Sequence, residues 1–301
     1  IMIRKLVLIV ILCILIISGD LVFASESSDD DPFGSQIALD ILKKVAENRE
    51  NISFKATETV ILWQESGTSA CISNIVRKAP NLTRIEYLPS PSTSCESRTV
   101  ISDGEMTWHY EPSLEVVFYT QNIEDKPESS DRQLDFTKDM DLIKSNYKAS
   151  LITTEHLAGR ETYVIRLEPY HLGNPSRKIW VDIEYPFILR TEKCDSNGVL
   201  TSVSFYNQIE FSPELEDDIF QLDIPSNIEK IKLPASDRLM SLEDLKEKAN
   251  FPIPLPKFLP PGYIIEGGVL SAYQAFPLAH IRLTDGLNTI SYFVMPRISK
   301  N

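Results

Sequence analysis

The sequence predicts an α+β fold: a large, curved antiparallel half-barrel covered by helices, followed by a small C-terminal α+β domain. Three observations carry this. Between residues 51 and 120, six stretches alternate apolar and polar side chains, with short turns and no helical stretch between them. Strands in such direct succession pair antiparallel, because a parallel return needs a crossover of a dozen residues or more. A second run, residues 149–211, brings the total to about ten strands, and an open sheet of that size curls. Helical patterns occupy only 35–47 and 135–147 around these runs. Two short helices do not fill a curled apolar face, so a concave cavity is expected.

The chain opens with Arg4-Lys5 and the unbroken apolar run from Leu6 to Ile17, which reads as a signal peptide over residues 1–24, cut after Ala24. The run is too short to span a bilayer alone. The alternative is an uncleaved membrane anchor reaching Phe23, although Ser18-Gly19-Asp20 interrupts it. Export to the periplasm or cell envelope is the expectation. Ser25 to Asp31 is polar. Ser35 is placed to cap the first helix, whose Ile37, Leu39, Ile41, Leu42 and Val45 form an apolar stripe.

Phe54, Ala56, Val60 and Leu62 then alternate on one strand. Residues 71–78 and 82–88 form a hairpin about Ala79-Pro80-Asn81. Residues 97–102 and 105–111 form another, with Asp103-Gly104 as its turn. In its second strand Met106, Trp108 and Tyr110 share one face. Leu114 to Thr120 continues the meander, and 121–134 is a polar loop. The second run comprises 149–157, 162–169, 179–183 and 200–211, with Asn197-Gly198 marking a turn. Residues 228–263 read as a linker containing a short helix capped by Ser241 and the proline-rich stretch 251–263. Residues 264–301 form the small C-terminal piece, with Asp285-Gly286 as a hairpin turn.

A net charge of −13 argues against nucleic acid and anionic membrane surfaces as partners. After the signal segment three cysteines remain. Cys71 and Cys95 each open a strand near the same end of the sheet, where a disulfide is plausible in an exported protein; Cys194 is left over. The four histidines lack ligand spacing, so no metal and no cofactor is expected. No GxSxG, HExxH, Walker A or GxGxxG pattern occurs, and the chain is not expected to be an enzyme. Asn51-Ile-Ser and Asn81-Leu-Thr match the N-glycosylation acceptor pattern.

Several segments resemble the LolA/RseB superfamily of exported lipoprotein-binding proteins. They are Ser102-Asp103-Gly104 with Trp108 and Tyr110; Arg177-Lys178-Ile179-Trp180-Val181-Asp182 followed by Pro186 to Arg190; and the closing segment with Phe220 and Pro225. The resemblance spans roughly 35–227. It implies an incomplete barrel, plugged by helices, that binds lipid or lipoprotein acyl chains. Pro260-Pro261-Gly262-Tyr263 and the second Asp-Gly hairpin resemble the second domain of RseB/MucB-type proteins, which plain LolA carriers lack. That implies an envelope sensor or regulator with an anti-sigma-type membrane protein as partner. A lipoprotein carrier, or a cell-surface structural domain without ligand, remains the alternative. Candidate cavity residues are Phe54, Leu62, Ile85, Tyr87, Trp108, Tyr110, Val181 and Phe205; a one-residue slip in register would turn any strand's set to the other face.

Overall fold

The computed structural model describes residues 32–90, 95–122, 140–224, 227–233, 239–273 and 276–296. The expected signal peptide, loop 123–134 and residues 135–139 of the expected second helix lie outside them. Gly34–Asn301 form one compact unit. Helix α1 spans Pro32–Asn48, starting before the expected Ser35 cap. Strands β1 (Phe54–Gln64), β2 (Gly67–Lys78), β3 (Leu82–Leu88), β4 (Arg98–Asp103), β5 (Met106–Glu111) and β6 (Val116–Gln121) follow. Helix α2 (Met140–Asn146) opens the second run, β7 (Tyr147–Leu157), β8 (Arg160–Pro169), β9 (Ser176–Asp182), β10 (Ile188–Cys194) and β11 (Leu200–Phe211).

Both runs join one open, curved sheet in the order β12-β6-β5-β4-β3-β2-β1-β11-β10-β9-β8-β7, where β12 is Glu229–Lys232. The chain builds outward from β1 to β6, restarts at the far edge with β7, and works back until β11 lies beside β1. β12 pairs with β6 in parallel, a departure from the all-antiparallel expectation. Residues 212–224 make this possible, because they run back over β3 and β4 before β12 begins.

Register decides which side chains share a face, since directly paired residues project to the same side. Phe54 pairs with Arg77 and Phe211, and Ala56 with Ile75 and Ile209. Ile75 pairs with Ile85, and Ile85 with Val100. In the second run Tyr163 pairs with Val181, Ile165 with Ile179, and Ala149 with Leu167. These residues define an inner face. On its β7–β9 half, α1 buries Ala38, Leu42, Val45 and Ala46 against Tyr147, Ile165, Leu167 and Ile179, and α2 adds Ile143. A fully buried leucine such as Leu42 contributes roughly 1.5–3 kcal/mol. On the β1–β4 half the filling is aromatic: Phe54, Phe187 and Tyr206 meet edge-on or tilted, with ring centroids 4.9–6.0 Å apart.

The C-terminal piece is a three-stranded antiparallel sheet, β13 (Ile264–Tyr273), β14 (Phe276–Thr284) and β15 (Thr289–Val294). Helix α3 (Leu242–Lys248) packs on it, and the Asp244 N–H donates to the capping Ser241 Oγ at 3.1 Å. Much of the segment expected as a linker is core. Leu245, Ile253 and Tyr263 are buried with Ala279, Ile281 and Leu283, and Met240 exchanges backbone hydrogen bonds with Gly268. The proline-rich stretch forms neither helix nor strand, and its intervening Phe251, Ile253, Leu255 and Leu259 line the same core. Prolines hold it extended while the alternate side chains dock.

Candidate functional site: an apolar groove and a docked hairpin

Among the described residues the inner face stays open at the β1–β2 hairpin end. A groove of about 320 Å³ lies there, floored by Val60, Leu62, Cys71 and Tyr87 and rimmed by Glu96, Arg98 and Glu111. All of the floor residues fall on the inner face by register: Val60 opposite Cys71, Leu62 opposite Ser69, Tyr87 opposite Ser73. Cys71 and Cys95 are joined as a disulfide, with Cα atoms 5.2 Å apart, and both line the groove. The bridge ties the start of the Cys95–Arg98 segment to β2, and so places the rim. The Arg98 guanidinium lies 3.9 Å above the Tyr87 ring centre. A larger groove, about 1020 Å³, lies on the opposite face beside Pro213–Ile219. Lys55, Thr57, Arg84, Glu86 and Gln208 line it together with Val76, Leu215 and Ile219, a wall of mixed character.

The eight candidate cavity residues do not converge. Leu62 and Tyr87 line the groove. Phe54 and Ile85 share its face but are taken up in the aromatic cluster, and Val181 is sealed under α1. Trp108, Tyr110 and Phe205 project to the outer face, and this corrects their assignment to the cavity. In the Asp103-Gly104 hairpin the inner pairs are Val100–His109 and Ser102–Thr107; Trp108 pairs with Ile101 and Tyr110 with Thr99 on the other side. That outer face has its own cover. The turn Asp217–Phe220 rests on β3 and β4 with Phe220 buried, and Arg84 donates to the Ile219 carbonyl at 3.1 Å. Phe205 is turned outward by a bulge at Asn207 of β11, opposite Thr57 and Glu58, which makes Tyr206 the inward residue. The groove residues that sequence reasoning missed are the charged ones. Arg98 and Glu111 sit at strand ends and Glu96 just before one, where period 2 carries no signal.

A second constellation fixes the C-terminal sheet to the half-barrel. The turn between β14 and β15, Asp285-Gly286-Leu287-Asn288, is buried between α2 and β9. Asn146 Nδ2 donates to the carbonyls of Asp285 (2.9 Å) and Gly262 (2.8 Å), and Asn174 donates to the Pro261 carbonyl at 2.9 Å. Tyr147 Oη donates to Asp285 Oδ2 at 2.6 Å, and the backbone N–H groups of Leu287 and Asn288 donate to Oδ1. Arg177 donates to the Leu287 carbonyl and to Asn288 Oδ1. Burial pushes its guanidinium down to about 10, against the pull of Tyr147 and Asp285. Its Nε and Nη1 have no hydrogen-bond partner among the described residues. Burial, then Asp285, raises the Tyr147 hydroxyl far above its ordinary value, so the hydroxyl stays protonated. Gly286, at φ +97°, is required: a Cβ there would lie 2.9 Å from Ile143 Cγ1.

No group of three or more His, Cys, Asp or Glu able to hold a metal ion occurs among the described residues. No described helix is long and apolar enough to cross a membrane. Asn51 and Asn81, the two acceptor asparagines, are exposed, and Cys194 is a free thiol.

Residues 37–228 match the family model of the MucB/RseB N-terminal domain. The chain belongs to the MucB/RseB family, within the LolA/RseB superfamily. Its fold is similar to that of MucB in the Pseudomonas aeruginosa MucA/MucB complex, with TM-score 0.58 and 17% identity over 85% of this chain and 79% of that one. A crystal structure of MucB aligns with TM-score 0.55 and 19% identity over 86% and 80% of the two chains. MucB in complex with MucA(peri) aligns with TM-score 0.56 and 16% identity over 87% and 80%. No curated protein matches the chain.

Proposed function

We propose that this protein is an exported, non-enzymatic RseB/MucB-like sensor of the cell envelope, which takes an acyl chain of a lipid or lipoprotein on its inner face. The observation that carries the reading is the apolar groove at Val60, Leu62 and Tyr87, left uncovered by the described residues, on a sheet whose other half is sealed by α1. A ligand methylene leaving water for that floor contributes about 0.8 kcal/mol. The docked C-terminal sheet favours the sensor over a simple carrier, since plain LolA carriers lack such a piece. MucB has been solved bound to MucA, and a membrane protein of the anti-sigma type is the partner we propose here.

Two measurements test this. Mass spectrometry of the purified protein should find a co-purifying acylated molecule, and a fluorescent fatty-acid probe should bind and be displaced by lipid. A protein that carries no lipid and binds no probe would leave the structural-domain reading in its place.

A further inference from the structure

The rim of the groove says more about the ligand than its floor does. This step rests on the acyl-binding reading above. The space, about 320 Å³, holds roughly ten methylene groups if each takes ~30 Å³, the share of a water in the liquid. That is room for one short acyl chain. Above the floor stand one cation and two anions. The Arg98 guanidinium carbon lies 3.9 Å from the centre of the Tyr87 ring, and the side chain is exposed, so its N–H donors are open to a ligand. Glu111 ends β5 on the inner face, one rung beyond the Val100–His109 pair, beside Arg98 on the neighbouring strand. Glu96 lies two residues before Arg98, next to the disulfide. Among the described residues none of the three forms an ion pair.

The geometry points to a single-chain amphiphile with a zwitterionic headgroup, of the phosphoethanolamine kind, as the ligand. Its phosphate sits on Arg98, where a planar guanidinium offers paired N–H donors to phosphate oxygens. Its ammonium sits between Glu96 and Glu111. A purely anionic headgroup satisfies Arg98 but meets two carboxylates, and like charges at such a rim reject it. A fatty acid has only the anion and gains nothing from the glutamates.

Displacement of a bound fluorescent fatty-acid probe from the full chain tests this. The competitors are twelve-carbon lyso-phosphatidylethanolamine, the matching lyso-phosphatidylglycerol and lauric acid. The zwitterionic lipid should displace at a concentration at least tenfold lower than the anionic one. Arg98→Gln should weaken both phospholipids, and Glu111→Gln combined with Glu96→Gln should abolish the preference between them. All three positions are at the rim, outside the two hydrophobic clusters, and circular dichroism should show the fold unchanged. Equal or better binding of the anionic lipid, or an Arg98→Gln protein with wild-type affinity for both, overturns the headgroup assignment and leaves acyl binding standing. If neither the probe nor any lipid binds, the acyl-binding reading itself falls.

Discussion

The two halves of the inner face start from similar strands and end differently. The β7–β9 half carries Ile165, Leu167, Ile179 and Val181, and it is closed by α1, by Ile143 of α2 and by Leu287 of the docked turn. The β1–β4 half carries Phe54, Ala56, Ile75, Ile85 and Tyr87. Among the described residues it is closed by a cluster rich in aromatic side chains, with Phe187, Tyr206 and Tyr185 beside Ile52 and Leu189, which leaves the groove at the hairpin end. The cover, more than the composition of the strands, decides which half can take a ligand. A helix buries a stripe along its whole length, whereas rings on the sheet fill only the space within their reach.

The sealed half is the place for the largest effect. Asp285→Ala removes the acceptor of Tyr147 and of two backbone N–H groups, and leaves the Arg177 charge buried without its counter-charge. Breaking a buried charged network by deleting one member costs about 3–5 kcal/mol. Denaturant titration should show that loss. Asp285→Asn keeps the shape and part of the hydrogen bonding, so its loss should be smaller. Both variants, while folded, should bind the fatty-acid probe within about twofold of wild type, because the junction is built from α2, β7 and β9 and the groove from β1–β5. An Asp285→Ala protein as stable as wild type would show that the junction does not hold the C-terminal sheet.

Next is the bridge at the open half. The sequence separation of Cys71 and Cys95 is 24 residues. Closing a loop of about that size stabilises by roughly 3 kcal/mol through the unfolded chain. Cys71→Ser with Cys95→Ser should lower the denaturation midpoint accordingly and weaken probe binding as well, since the rim loses its tie to β2. Treatment of the wild type with a dithiol should reproduce both effects. Lost stability with unchanged binding would show that the bridge serves the fold alone.

A smaller, purely local effect is expected at Leu62, which is 38% exposed and whose side chain lines the groove. Leu62→Ala removes about two methylenes of contact, on the order of 1.5 kcal/mol, or roughly tenfold in probe affinity. Little stability should be lost with it. Unchanged affinity would move the acyl chain away from the β1–β2 end.

How much of this was legible depended on the kind of signal. Period 2 over Phe54 to Leu62 marked the right face of β1, and Asp103-Gly104 and Asp285-Gly286 marked real turns. What period 2 does not give is which of two alternating sets faces inward, and the more apolar set is not a safe guide. Met106, Trp108 and Tyr110 look like a core set, yet His109 and Thr107 are the inner ones. The outer cover comes from residues 213–220, more than 100 positions along the chain, and no local pattern announces it. The bulge in β11 is equally silent, and by one residue it exchanges Phe205 for Tyr206. Burial of the Asp285 turn was invisible for the same reason: its partners Asn146, Tyr147 and Arg177 lie far upstream and belong to other elements.

Trp108 therefore gives the sharpest test of the two-face description with the smallest change. Its indole stacks on Tyr119 with ring centres 5.0 Å apart, and its Nε1 donates to Asp103 Oδ2 at 3.2 Å. Both contacts lie on the outer face, across the sheet from Tyr87. Trp108→Ala should cost stability through the lost stack, about 0.5–1.5 kcal/mol beyond the area it buries. It should leave probe affinity within about twofold of wild type. Trp108→Phe keeps a ring on Tyr119 and should recover most of the stability. Tyr87→Phe serves as the control on the other face: it keeps the ring under Arg98 and should preserve probe binding. A folded Trp108→Ala protein that loses the probe would place the ligand on the outer face, and the groove at Leu62 and Tyr87 would then no longer be the site.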